Sequence, residues 1–189
     1  MTTYIHYGAD IYNSSLTVPA RNAEQSSKPA EGSGFWGSRE GTTYENGRIS
    51  YGWKEWCQDT KYRVEKLKRS FRFRLSDSAK LLLIEKPEDL VPLPKLAPWK
   101  LKDMSALKKL PAGEFPTLEQ LHEFYSPNPC YPDFEQLLKD GIDAVELRNS
   151  HLFSRYLVTW DYDCILVLNP DVIVPVMKDL DHALMKPVK

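Results

Sequence analysis

The residues able to do chemistry are few and far apart in this chain. His6 closes a short aromatic run, Tyr4-Ile5-His6-Tyr7, and Gly8 follows it. An imidazole can donate or accept a proton near neutral pH, and a glycine lets a ligand approach the backbone closely. Gly34-Phe35-Trp36-Gly37-Ser38 offers two flat aromatic faces and a hydroxyl, and Trp53 stands ahead of it in the next element. Two carboxylates lie in apolar surroundings late in the chain, Glu146 in Asp143-Ala144-Val145-Glu146-Leu147 and Asp163 just before Cys164-Ile165-Leu166-Val167-Leu168. Each residue also has a plain structural reading. His6 can be a hydrogen-bonded packing residue, Trp36, Trp53 and Trp56 core side chains, Glu146 an exposed strand position and Cys164 a small apolar filler.

Metal and disulfide chemistry are not expected. His6, His122, His151 and His182 are dispersed with no HExxH or HxH pair, and Cys57, Cys130 and Cys164 form no CxxC. Three unpaired cysteines point to a reducing compartment. At 189 residues, 42% hydrophobic and net charge -1, the chain reads as one domain spanning 1–189, with no global bias toward nucleic acid or acidic lipid. No apolar run is long enough to span a bilayer, and Met1-Thr2-Thr3-Tyr4-Ile5-His6 lacks the features of a signal peptide. A soluble, cytoplasmic protein without membrane contact is expected.

The elements that must hold these residues alternate between short strands and proline-rich connections. Strands are expected over Thr3–Tyr7 and Gly34–Ser38, separated by a long polar loop over 13–33 that builds little core. A helix is expected at about 50–60, where Trp53, Trp56 and Cys57 share one side. Strands follow at Ser70–Leu75 and Ala79–Glu85, the second ended by Pro87. An irregular proline-rich excursion covers 90–116, with at most a short helix near 102–109. Thr117-Leu118-Glu119-Gln120 signals a helix running to about Tyr125, and Asp133 and Gly141 bracket another. Strands at Ile142–Leu147, Tyr156–Trp160, Cys164–Leu168 and Val172–Val176 complete an α+β fold, with a frayed tail over 177–189.

The run Lys61 to Arg74 carries seven basic residues against Glu65 alone. Most such runs are solvated faces. The functional version is a platform for phosphates, with Phe71 and Phe73 stacking on bases, or a docking surface for an acidic protein. Period-two alternation places Phe71 and Phe73 opposite Arg72 and Arg74, which favours burying the phenylalanines.

The order of pieces resembles the ADP-ribosyltransferase superfamily, in its poly(ADP-ribose) polymerase-like and diphtheria-toxin-like branch. In that family a first strand ends in histidine and glycine, a second carries a glycine-aromatic-aromatic element before a helix, and a late strand supplies a catalytic glutamate. The resemblance implies two packed, mostly antiparallel sheets with flanking short helices and NAD as co-substrate in the cleft between them. His6 would donate to the NAD ribose, and the backbone at Tyr7 and Gly8 would pair with the nicotinamide amide. Phe35 or Trp36 would stack on the nicotinamide, Ser38 would hold the amide or ribose, and Trp53 would lie near. Aligned through Asn169-Pro170, the glutamate position falls on Cys164, which departs from the pattern and leaves Glu146 and Asp163 as the catalytic candidates. The implied activity is ADP-ribosyl transfer to a macromolecular acceptor that the basic stretch 61–74 contacts, in the manner of a microbial or phage effector or toxin. The alternative is an inactive module of the same fold that binds a nucleotide, a nucleic acid or a protein.

Overall fold

The structure, a computed structural model, describes residues 2–41, 43–102, 117–118 and 126–176. It is an α+β fold built on one mixed seven-stranded sheet. The strands are β1 (Tyr4–Tyr7), β2 (Phe35–Arg39), β3 (Ser70–Leu75), β4 (Leu81–Ile84), β5 (Ala144–Leu147), β6 (Cys164–Val167) and β7 (Ile173–Val176), in the order β4-β5-β6-β2-β1-β3-β7. Only the β4–β5 pairing is parallel. Among the described residues two short helices flank the sheet, α1 (Trp53–Thr60) and α2 (Phe134–Lys139).

The two packed sheets of the expectation are replaced by this single hydrogen-bonded sheet. The reason lies in β2, which bonds β6 along Phe35–Gly37 and β1 only at Ile5↔Ser38 and Tyr4↔Arg39. The sheet is therefore continuous at one end of the β1–β2 seam and parted at the other.

Each face of the sheet has its own core. Alternation sends Val145, Leu147, Cys164 and Leu166 to one side, where they meet Phe134, Phe153, Tyr156, Leu157 and Trp160. The opposite side collects Tyr4, Phe71, Phe73, Ala144, Ile165 and Val167. Phe71 and Phe73 are buried while Arg72 and Arg74 are exposed, so β3 reads as its alternation predicts and base stacking on those phenylalanines is excluded.

Local signals mostly set the element ends. Asp133 caps α2 by accepting from the Gln136 N–H at 2.9 Å, and Gly141 follows the helix at φ +80°. Residues 156–160 depart from the expected strand. Phe153, Tyr156, Leu157 and Trp160 repeat at helical rather than strand spacing, and turn bonds such as Leu157 N–H to the Phe153 carbonyl bring all four into the core. The 13–33 loop also departs from its reading as a segment that builds little core. Ala20, Ser27 and Ser33 are buried, the Ala20 N–H bonds the Leu168 carbonyl, and Trp160 Nε1 donates to the Ser27 carbonyl at 2.7 Å. The helix read from Thr117 to Tyr125, the one near 102–109 and the tail after Val176 lie outside the described residues, apart from Lys102, Thr117 and Leu118.

Gly37 sits where β2 crosses above Phe73. A Cβ there would stand 2.8 Å from two atoms of the Phe73 ring and 3.3 Å from Ile165. Gly37→Ala should therefore destabilise the fold by about 1–3 kcal/mol through overpacking, read as a lower urea midpoint at unchanged slope.

Candidate functional site

The parting of β1 from β2 is held by one side chain. If the ladder ran on from Ile5↔Ser38, Tyr7 would pair with Trp36. Instead His6 Nδ1 lies 2.8 Å from the Trp36 carbonyl oxygen. A carbonyl only accepts, so Nδ1 carries the proton and Nε2 of the neutral ring is an acceptor. The imidazole is clamped by rings, stacked on Phe35 at 4.6 Å and tilted against Phe71 at 5.3 Å. Burial lowers its pKa below the ordinary histidine value; the Trp36 bond opposes this and Lys66 adds to it. His6 is thus neutral at pH 7, and with its one N–H committed to the Trp36 carbonyl it has no second proton to donate.

Behind this seam lies a cavity of about 500 Å³. His6 and Tyr7 from β1, Gly8 just after it, Trp36 and Ser38 from β2, and Trp53 from α1 all line it. Six of the seven residues expected around a dinucleotide are therefore brought together. The seventh, Phe35, points to the opposite face of the sheet, edge-on to Phe73 and beneath His6, because it is one residue out of phase with Trp36. Of the two proposed stacking platforms, Trp36 alone faces the space.

Two finer roles change as well. The Gly8 N–H is taken by the Arg69 carbonyl at 2.8 Å, with Gly8 at φ +106°, so it is not offered to a ligand amide. Tyr7, one residue earlier, turns its peptide groups toward β2, where the ladder has stopped. Ser38 Oγ accepts the Trp53 N–H at 3.0 Å and so starts α1; its own proton remains to donate.

The sequence reading missed the rest of the lining. Trp56, Tyr62 and Tyr162 join Trp53 in an aromatic wall, with Trp53 stacked on Trp56 at 5.2 Å and tilted to Tyr162 at 5.1 Å. Burial pushes the Tyr162 phenol well above its usual value, so it stays protonated. Lys28, Arg63 and Lys66 bring three cations, and Asp161 the one carboxylate among the described lining residues. Lys28 Nζ stands 6.0 Å from the Trp36 ring, its pKa lowered by burial against the favourable charge of Asp161. Lys28 comes from the 13–33 loop and Asp161 from the turn-rich segment, where no periodic pattern marked either. A polar hollow of about 250 Å³ adjoins the cavity through Ile5, Tyr7 and Ser38.

Neither carboxylate named from the sequence lines the cavity. Glu146 is 2% exposed and accepts from Tyr4 Oη at 2.7 Å and Arg148 Nε at 2.7 Å, with Arg39 Nη1 at 3.7 Å. Its side chain alternates with Val145 and Leu147 and therefore falls on the Tyr4 and Phe73 face. Asp163, also 2% exposed, takes the Ser150 N–H at 2.9 Å, Tyr44 Oη at 3.0 Å and Arg48 Nη2 at 3.1 Å. Cys164 is buried beneath the cavity face, and desolvation raises its thiol pKa well above the ordinary value, so it is not a poised thiolate. Among the described residues no three His, Cys, Asp or Glu side chains gather closely enough to hold a metal ion.

Two outcomes follow. Glu146→Ala breaks a buried ion pair from one side and should lower unfolding free energy by about 3–5 kcal/mol in a urea titration. Because the folded pKa of His6 is depressed, its stabilising contribution is complete above the unfolded value near 6.5 and is lost as pH falls below it, by at most about 1.4 kcal/mol per pH unit. Unfolding free energy compared at about pH 7.5 and about pH 5.5 should fall less in His6→Asn, which keeps a donor but does not titrate. No protein family, curated protein or solved structure matches the chain.

Proposed function

We propose that this chain binds NAD in the cavity at the β1–β2 seam and transfers its ADP-ribose to a macromolecular acceptor. The observation that carries the reading is the convergence of His6, Tyr7, Trp36 and Trp53 on one cavity that also holds Lys28, Arg63 and Lys66. Flat aromatic faces suit a nicotinamide or adenine ring, and three cations suit a pyrophosphate. The seam divides the sheet into β1-β3-β7 and β2-β6-β5-β4, which supports an ADP-ribosyltransferase-like arrangement of two half-sheets around the ligand.

In the transfer step the bond from the ribose anomeric carbon to the nicotinamide nitrogen breaks, and its electron pair leaves with nicotinamide. Positive charge develops on the ribose, and an acceptor lone pair forms the new bond. Asp161 is the carboxylate placed to stabilise that charge or take the acceptor's proton. The three cysteines are free and buried, which goes with a cytoplasmic site of action. Among the described residues no helix is long and apolar enough to cross a membrane.

One observation favours a second reading, a binding module without transferase activity: Glu146 and Asp163 are both committed to buried ion pairs. Thermal unfolding with NAD, followed by an assay for free nicotinamide, separates the two. At about 100 times Kd, NAD should raise Tm by roughly 5–10 °C, and His6→Ala should abolish the rise. Asp161→Asn should keep the rise and lose at least about a hundredfold in nicotinamide release. A rise in Tm with no nicotinamide released by the parent chain leaves an NAD-binding module without transfer; no rise at all removes the NAD site from both readings.

A further inference from the structure

The cavity mouth is bordered by a short 3-10 helix, Val64–Lys68, that carries Lys66 and Lys68 of the basic run. Lys61 and Arg63 precede it in left-handed backbone, at φ +60° and +50°, which turns the chain sharply and keeps the segment on the surface. Over Lys61–Arg69 there are five cations and only Glu65 to oppose them. Arg69 is paired with Asp10 at 2.8 Å, and Arg72 in the next strand with Glu40. Lys61, Arg63, Lys66 and Lys68 are exposed and make no ion pair among the described residues. In a chain of net charge -1, four cations against the single Glu65 on eight consecutive residues make a local positive stripe.

Two of those cations, Arg63 and Lys66, also line the cavity. Between them and the interior stands Tyr62, 45% exposed, its ring edge-on to Trp56 at 5.4 Å and to Trp53 at 6.2 Å. The Arg63 guanidinium lies 5.1 Å from the Tyr62 ring centroid. Cations that track a phosphate backbone beside a held, half-exposed aromatic ring are the combination that binds single-stranded nucleic acid. An acidic protein would use the charges and leave the aromatic step without a role.

We infer that the Lys61–Lys68 stripe binds single-stranded nucleic acid across the mouth of the cavity, with Tyr62 as a base-stacking platform leading to the Trp53–Trp56 wall. The binding stands on the stripe itself; its role as the acceptor of ADP-ribose rests on the transfer reading above. Phosphate contacts release counterions, so four of them on a single strand give a salt slope of about -2.8 and an affinity loss of about fifty-fold between roughly 50 and 200 mM salt.

The test is fluorescence anisotropy of labelled mixed-sequence DNA and RNA strands of about 12 nucleotides, with the full chain and no NAD. Lys61→Ala/Lys68→Ala, neither of which lines the cavity, should reduce the loss over the same salt interval to about sevenfold and leave the NAD-induced rise in Tm unchanged. Tyr62→Ala should weaken binding by roughly five-fold or more with the slope kept. Affinity that ignores salt, a double variant with the parent slope, or poly-glutamate that binds as tightly as the strands would overturn the inference. If the parent chain shows the slope but no NAD-induced rise, the stripe stands and the NAD reading falls.

Discussion

A single hydrogen bond, from His6 Nδ1–H to the Trp36 carbonyl, decides the shape of this molecule's working face. It occupies the acceptor that the next rung of the β1–β2 ladder would use, and a side chain is wider than a backbone pair. The strands part, and the space between them becomes the cavity. Such a bond contributes only about 1 kcal/mol net, and it satisfies a part-buried carbonyl that the stopped ladder would leave without a strand partner. It also needs a ring that does not swing. Phe35 and Phe71 supply that, and the β1–β3 ladder from Tyr4↔Phe73 to Tyr7↔Ser70 keeps β1 in place on its other edge.

The buried carboxylates serve the same arrangement from outside it. Glu146 joins β5 to Arg39 at the end of β2 and to Arg148, while Asp163 joins the start of β6 to Arg48 and Tyr44 in the connection between β2 and α1. Arg39, Arg48 and Arg148 all lie within 5.2 Å of the Tyr44 ring centroid. That connection delivers Gly52 and Trp53 to Ser38, where Glu55 takes the Gly52 N–H and Ser38 Oγ takes the Trp53 N–H. Charges buried in the core thus fix where the aromatic wall stands. Their energetic justification is mutual: each ion is costly alone and tolerable only because its partners are placed for it.

Much of this was legible in the chain and some was not, for definable reasons. Period-two patterns and flanking turn residues located β1, β2, β3, β5, β6 and β7 to within a residue or two, because each strand is apolar on at least one face and ends at a residue with its own backbone preference. His6, Trp36 and Trp53 were visible because they are rare types beside glycines. Asp161 is not, since a carboxylate in a turn has no periodic neighbour to mark it, whereas Asp163, two residues on, stands beside an apolar strand. That adjacency is what buried it. Phe35 and Trp36 could not be told apart by type, since one residue of phase decides which face each takes and phase is set by pairing with Leu166 and Val167. The long loop was misjudged by composition: its polar residues meet the core through backbone groups, as at Ala20 and Ser27, which composition does not report.

The division of labour around the cavity has an electrostatic logic. The cations come from two unrelated segments, Lys28 on the 13–33 loop and, after α1, Arg63 just before the 3-10 helix with Lys66 on it. The tryptophans of the wall come from the framework, Trp36 on β2 and Trp53 and Trp56 on α1, where packing holds them. Rings fixed by the scaffold select shape, whereas charges on connecting segments act at longer range and tolerate movement. On the proposed reading, an anionic ligand is drawn in by the second group and oriented by the first. Lys28 belongs to both, since the cation close enough to Trp36 to lose part of its hydration is also the one beside Asp161. An anion reaching that corner meets an ammonium whose desolvation has already occurred, and an interaction there is stronger than the same pair on the open surface.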